Sequence, residues 1–156
     1  MRNQTVSRQI QQLNNLFDKA TIISELDIEI LSNWGKYLCV LSAGLIENGI
    51  KEIYSEFVNK AASPQVANFA KRTLSKLRNP KTNNILELAG SFNNSWRDSL
   101  VEYVDFNGRR EAIDSIMTNR HNIAHGNYSA ITISRVSDYL KKAIQVIEFI
   151  ENQCNN

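Results

Sequence analysis

Two histidines lie four residues apart, directly behind an arginine, in the segment 120–126 (RHNIAHG). These residues, Arg120, His121 and His125, carry the strongest chemical signal in the chain. A guanidinium offers a planar fork of donors that fits two phosphate oxygens. An imidazole exchanges a proton near neutral pH. Arg120 and His125 therefore form a candidate pair for breaking a phosphodiester bond without a metal, with His121 in a supporting place.

The spacing of this pair has a geometric consequence. On a regular helix, Arg120 and His125 point about 140° away from each other. One chain would therefore aim them poorly at a common atom. They converge if His125 lies in a frayed last turn, or if a second copy of the helix faces the first across a two-fold axis. The spacing favours a homodimer with the active site at its interface.

Two other interpretations of the segment stay open. Arg-x4-His strings are short and common by chance, and spacing alone favours a solvated or salt-bridged Arg120 with surface or capping histidines. His121 and His125 also have the i, i+4 spacing of a metal-ligand pair, with Asp114 on the same face. Asp114 lies roughly 10 Å along the helix axis from His121, and no third ligand is evident, which disfavours a metal site.

The composition is that of an ordinary globular protein. The 156 residues are 42% hydrophobic and 22% charged, with a net charge of +2, and we predict a single domain over residues 1–156. The small positive charge permits a polyanionic partner without requiring one. Cys39 and Cys154 lack metal-ligand spacing, and the N-terminal segment has no apolar leader. We therefore expect a cytoplasmic protein that does not enter the membrane and needs no metal or other cofactor.

Apolar residues recur at three- and four-residue steps, and strand-like alternation is absent, which predicts an all-α fold. A first helix is marked by Ile10, Leu13, Leu16 and Phe17. Residues 24–27 (SELD) form a cap for a long central helix that runs to about Ala62. Its three glycines, Gly35, Gly44 and Gly49, predict close packing or a kink.

Further helices follow the central one. Ser63-Pro64 begins a helix that runs through about Arg78, and shorter helical pieces are expected near 82–92 and 93–105. Asn107-Gly108 is a turn signal before a helix that reaches the histidines and stops at Gly126. Its apolar stripe is Ile113, Ile116, Met117 and Ala124. Thr132 or Ser134 caps a long C-terminal helix with the stripe Val136, Leu140, Ile144, Ile147 and Ile150, and residues 154–156 are expected to fray.

A basic stretch without an intervening acid consists of Lys71, Arg72, Lys76, Arg78 and Lys81, and Arg97, Arg109 and Arg110 add further positive charge. Lys71, Arg72 and Lys76 are candidate RNA contacts. A solvated helix face is the favoured alternative, because aromatic residues are not interleaved with the bases. The aromatic residues of the helices are expected to pack in the core or in a dimer interface; they are Trp34, Tyr37, Trp96 and Tyr103.

The segment 120–126, at the end of a helix and followed by a long terminal helix, resembles the motif of the HEPN superfamily. That motif is an arginine, a polar residue, three variable positions and a histidine. The Ile-Ala-His-Gly ending is typical of the RiboL-PSP-like branch, and His121 occupies the polar position. The segment 41–47 (LSAGLIE) is similar to the second core helix of the family, where Glu47 matches a frequent acidic residue.

The resemblance implies a helical bundle, commonly dimeric, that acts as a metal-independent RNA endonuclease in toxin–antitoxin or phage-defence systems. Attack by the ribose 2′-hydroxyl would give a 2′,3′-cyclic phosphate, with Arg120 stabilising the phosphorane and His125 as base or acid. His121 would orient the phosphate or support Arg120. Glu47 would hold Arg120 or a histidine through a charged hydrogen bond, although an outward-facing carboxylate is equally expected there.

The implied partners are an RNA substrate, a second copy of the chain and an antitoxin protein. In the branch paired with a nucleotidyltransferase antitoxin, a tyrosine falls two residues after the histidine. Here that position is Asn127 and the tyrosine is Tyr128, which argues against such a partner. Many HEPN domains are inactive, so a non-catalytic module that binds protein or RNA is the competing class.

Overall fold

The secondary structure consists of α-helices whose ends are determined by capping residues and turns. The computed structural model describes residues 1–22 and 27–155, and within them every regular element is helical, which confirms the all-α prediction. In chain order the helices are α1 (Gln4–Ile22), α2 (Ile28–Ala61), α3 (Pro64–Leu74), α4 (Thr82–Phe92), α5 (Asn94–Asp105), α6 (Arg109–Ala124) and α7 (Ile133–Asn155). None of these helices combines the length and apolar character needed to cross a membrane.

Helix α2 is the centre of the bundle. Its N-cap is Asp27, whose side chain accepts a hydrogen bond from the Glu29 N–H at 3.1 Å; the other residues of the predicted cap, 24–26, lie outside the described residues. The helix packs against α1, α3, α6 and α7. Its buried side chains join one apolar cluster to which all seven helices contribute, and burial of such side chains is the main stabilising term of a helical bundle.

The direction of α6 relative to α2 places the candidate residues. The Cys39 thiol lies 3.6 Å from the carbonyl oxygen of Ile116, which sets the middle of α6 against the first half of α2. Helix α7 begins beside Gly35 and reaches Gly49 at Ile147, so it runs parallel to α2. Because a short connection joins α6 to α7, α6 runs antiparallel to both. The C-terminal end of α6 therefore lies beside the N-terminal part of α2.

Helix α3 stops at Leu74 rather than near Arg78, so that predicted boundary is wrong. The chain tightens there, because Lys76 and Leu77 donate to the carbonyls three residues earlier, Thr73 and Leu74. This turn brings Asn79, with a positive φ of 43°, to the side of α2. The Pro64 start is confirmed.

Three smaller expectations also change. Ala124 is exposed rather than part of the α6 stripe, because it lies in the last turn of the helix. Helix α7 continues through Asn155, and Cys154 packs against the core, so fraying at Cys154 is wrong; Asn156 lies outside the described residues. Thr132, not Ser134, caps α7 by accepting from the Arg135 N–H at 3.2 Å.

The glycines of α2 have different surroundings. A Cβ on Gly35 would lie 2.7 Å from the carbonyl oxygen of Ile131, and one on Gly49 would lie 3.4 Å from the Ile147 side chain. Close packing is therefore confirmed at these two positions. At Gly44 it is wrong, because a Cβ there would have no neighbour within 4 Å.

Candidate functional site

The last turn of α6 fixes the backbone of the RHNIAHG segment. The His125 N–H donates to the His121 carbonyl at 3.1 Å, so the helical bond pattern continues through His125. Gly126 then takes a φ of 71°, a left-handed conformation that glycine adopts without a Cβ clash. The Asn127 N–H closes the end by donating to the Asn122 carbonyl at 2.8 Å. The predicted stop at Gly126 is confirmed.

The two imidazoles form a pair on one face of α6. Their ring centroids are 4.4 Å apart with an angle of 49° between the planes, and both residues are exposed. The i, i+4 spacing explains the contact, since such residues stack one above the other on a helix. This pair provides two adjacent nitrogen-bearing rings open to an incoming molecule.

Arg120 is half-buried at the same helix end. Within residues 1–22 and 27–155, no side chain or carbonyl accepts a hydrogen bond from its guanidinium, and no carboxylate pairs with it. A solvated arginine is consistent with this, whereas a salt-bridged one is not. Since His125 keeps its helical backbone bond, the angular separation of about 140° between Arg120 and His125 remains. Fraying therefore does not bring them together within one chain.

The segment after His125 is tied to both neighbouring helices. The Ser129 hydroxyl donates to the Asn119 side chain at 2.8 Å, and Asn119 itself donates to the Ser115 carbonyl at 2.9 Å. Ser129 is buried. On the other side the Ile131 carbonyl packs on Gly35. These contacts position the loop beside Arg120. Sequence reasoning missed Asn119 and Ser129 because no spacing rule links them.

Glu47 lies elsewhere on α2. Its carboxylate accepts from the Lys51 ammonium and the Asn79 N–H, each at 2.6 Å, and the Arg78 guanidinium is 3.6 Å away. Gly35, beside the α6–α7 connection, is twelve residues away, or ~18 Å along the helix axis. The structure therefore does not bring Glu47 together with Arg120 or the histidines, and we assign it to anchoring the α3–α4 connection.

Surrounding groups shift the ionisation of Glu47. Burial raises the pKa of its carboxyl, but the hydrogen bonds from Lys51 and Asn79 and the charges of Lys51 and Arg78 outweigh burial. The net effect lowers the pKa below its usual range, as expected for a carboxylate with donors on both oxygens. Glu47 is therefore an ionised structural group near neutral pH.

Asp114, the third group of the metal interpretation, has another role. Its Oδ1 accepts from the Thr82 N–H at 2.7 Å and from the Thr82 hydroxyl at 2.9 Å. It thereby satisfies the first turn of α4. The described residues contain no cluster of three or more His, Cys, Asp or Glu side chains arranged to hold a metal ion. Asp114 is therefore not available to join the i, i+4 histidine pair as a metal ligand.

The basic stretch is exposed except at Lys71, and acidic side chains lie beside Lys71 and Arg78. Arg72 and Lys76 are exposed, whereas Lys71 is half-buried in a cavity that it shares with Glu52 and Glu56. Arg109 is buried, donates to the Tyr103 and Phe106 carbonyls and lies 4.0 Å over the Tyr103 ring. Only part of the predicted stretch is therefore open to a phosphate.

Most of the predicted packing aromatics do pack. Trp96 contacts Phe57 at a centroid distance of 5.2 Å, and Tyr103 stacks on Phe149 at 4.2 Å. Trp34 contacts Tyr37, whose side chain remains half exposed. The cysteines are also packed, and burial raises the pKa of both the Cys39 and the Cys154 thiol to about 12. Neither thiol is a nucleophile at neutral pH.

Comparison with known protein families gives a match to the model described as RiboL-PSP-HEPN, over residues 4–156. The match includes every helix, the RHNIAHG segment and the connection that follows it. No curated protein and no solved structure matches the chain.

Proposed function

The chain belongs to the RiboL-PSP-HEPN family, and from this premise we propose that it is a metal-independent endoribonuclease with Arg120 and His125 as its catalytic residues. HEPN domains are typically nucleases or otherwise related to RNA. The observation that carries the proposal is the exposed end of α6, where a pair of contacting imidazoles adjoins an arginine that has no hydrogen-bond or ion-pair partner among the described residues. These are the hydrogen-bond donors needed to stabilise the transition state of phosphodiester cleavage.

In the proposed reaction the 2′-hydroxyl oxygen attacks phosphorus and loses its proton to an imidazole. The bond from phosphorus to the 5′-oxygen breaks, and that oxygen takes up a proton. Arg120 neutralises the charge on the non-bridging oxygens of the phosphorane. The products are a 2′,3′-cyclic phosphate and a 5′-hydroxyl. DNA lacks the attacking hydroxyl and is left intact.

The reaction needs one proton transfer on each side of phosphorus. His125 is the catalytic acid or base, and His121 lies 4.4 Å from it, close enough to orient the phosphate. Because Arg120 and His125 diverge on one helix, the proposal includes a homodimer in which Arg120 of one copy meets His125 of the other.

The biological role that the family resemblance supports is a toxin or phage-defence effector acting on cellular RNA, with an antitoxin protein as its restraint. The cytoplasm is the compartment where such a substrate is found. Asn127 stands where the nucleotidyltransferase-paired branch has tyrosine, so the proposed antitoxin is of another kind.

The test is cleavage of bulk cellular RNA by the purified chain in excess chelator. His125→Ala should slow cleavage by about 10²–10⁴-fold, and Arg120→Ala by about 10²–10³-fold. Arg8→Ala, which removes an exposed arginine from α1, is the matched control and should cleave at the native rate. A requirement for an added divalent ion, or an unchanged rate in either site variant, would contradict the proposal. RNA binding without turnover would instead identify a non-catalytic module.

A further inference from the structure

Among the described residues, Tyr128 is the most exposed large hydrophobic side chain, at 86% of its maximal area. Its backbone is nevertheless fixed. The preceding residue, Asn127, donates to the Asn122 carbonyl, and the following residue, Ser129, is buried and bonded to Asn119. The loop therefore holds the ring outward, where its face is open to stack on an incoming molecule.

The ring borders a cavity of about 480 Å³ between the start of α2 and the connection from α6 to α7. Residues 128–134 form one wall, and Ile28, Leu31, Ser32 and Lys36 form the other. The two walls meet where Gly35 approaches the Ile131 carbonyl. The volume is in the range of small-molecule sites, which are mostly apolar with a few polar groups.

Charge identifies the kind of molecule that fits. Among the described residues that line the cavity, Lys36 is the only charged one, and none is acidic. Within residues 1–22 and 27–155, Lys36 has no ion-pair partner. Arg120 and the two imidazoles lie at the C-terminal end of α6, and the chain continues from there into residues 128–134 of the cavity wall. An anion with a flat, stackable part is complementary to an unpaired ammonium beside an exposed aromatic ring.

We infer that Tyr128 and this cavity form a subsite for the nucleotide flanking the scissile phosphate, with its base stacked on the Tyr128 ring and its phosphate facing Lys36. The inference rests on the proposed function, since it assigns the substrate's neighbouring nucleotide. Base stacking on an aromatic face tolerates all four bases. The subsite therefore holds single-stranded RNA in register without selecting a base.

The test measures binding separately from cleavage. The probe is a short, labelled, single-stranded oligoribonucleotide of mixed sequence, carrying 2′-O-methyl groups that block attack. Tyr128→Ala should weaken its binding by about 5- to 150-fold, the range for the loss of one base–aromatic stack. Tyr128→Phe keeps the ring and should bind as the native chain does. Phe69→Ala removes another exposed aromatic ring, on α3, and should have no effect.

Lys36 is tested through the salt dependence of the same binding. Lys36→Ala should reduce the slope of log affinity against log salt by about 0.7, the value for one phosphate contact on a single strand. Lys60→Ala makes the same charge change at the far end of α2, ~36 Å along the axis, and should leave the slope unchanged.

Equal affinity of native chain and Tyr128→Ala would overturn the inference even if the native chain cuts RNA. Weaker binding by Tyr128→Ala would support nucleotide binding at this cavity even if the native chain cuts nothing, in which case only the cleavage proposal fails. Sedimentation of the Tyr128 variants provides the remaining comparison. Loss of self-association with unchanged RNA affinity would assign the ring to a protein interface and overturn the subsite.

Discussion

The imidazole of His121 lies 4.4 Å from that of His125, although His121 adjoins Arg120 in the chain. The two rings share one face of α6, whereas the arginine begins about 100° away around the helix axis. The functional groups of the RHNIAHG segment are thus divided between two directions. A phosphate that contacts the imidazole pair of one chain meets an arginine most directly if a second chain supplies it.

Mixing two inactive variants should restore cleavage if the site is shared. In a heterodimer of Arg120→Ala and His125→Ala chains, one site has both mutations and the other has native Arg120 and His125. After random exchange of subunits the mixture should reach about a quarter of native activity. Cleavage is measured after unfolding and refolding the two variants together, with each refolded alone as the control. A mixture no more active than its components would show that each chain builds its own site.

The two histidines should differ in their effect on rate. His125→Ala should cost about 10²–10⁴-fold in single-turnover cleavage, whereas His121→Ala, which removes an orienting contact, should cost about 10-fold. His121→Gln retains a polar side chain and should recover part of that loss. An equal loss in both alanine variants would instead make His121 a full member of the catalytic machinery.

Two glycines of α2 should respond in opposite ways to the same substitution. Gly35→Ala places a Cβ 2.7 Å from the Ile131 carbonyl oxygen, and the displaced backbone should lower the free energy of unfolding by about 1–3 kcal/mol. Gly44→Ala meets no atom within 4 Å and should raise it by about 0.5–1 kcal/mol through helix propensity. Urea denaturation measures both. Only Gly35→Ala should also slow RNA cleavage, since it shifts the loop beside Arg120.

Acid stability should depend on Glu47. Because its pKa is lowered in the folded chain, ionised Glu47 stabilises the fold above its unfolded pKa, and this stabilisation is lost as the pH falls through the folded value. Glu47→Gln should therefore cost about 1–2 kcal/mol near neutral pH and converge with the native chain at low pH. Glu87→Gln, on an exposed position of α4, is the control. Folded Glu47→Gln should cleave RNA at the native rate. A loss of rate without a loss of stability would instead indicate that Glu47 takes part in the site.

The helices and the stop at Gly126 followed from local rules. Apolar periodicity, Pro64 at a helix start and a glycine after the last helical residue each depend on neighbours within a few positions. The C-terminal end of α3 and the surroundings of Gly44 did not, because both depend on which helix packs alongside. A turn that delivers Asn79 to Glu47 is specified by a contact 32 residues away.

The candidate site residues also divide into those that local sequence patterns predicted and those that depend on tertiary contacts. Arg120, His121 and His125 were predicted from residue type and spacing, and the exposed histidines beside a half-buried Arg120 are compatible with a site open to a large substrate. Glu47 was misplaced because a match to a family position fixes neither distance nor partner. Asn119, Ser129 and Lys36 carried no signal, since the Asn119–Ser129 hydrogen bond and the cavity that Lys36 shares with the loop arise only when the chain folds.

The contact between Gly35 and the Ile131 carbonyl links α2 directly to the loop behind His125. The two backbones touch without an intervening side chain, so a displacement of either is transmitted to the other with little slack. A protein that binds the exposed start of α2 would thereby change the loop conformation without contacting either histidine. For the proposed ribonuclease, inhibition through this contact would therefore be separable from blocking the proposed RNA site, and such an inhibitor need not resemble RNA.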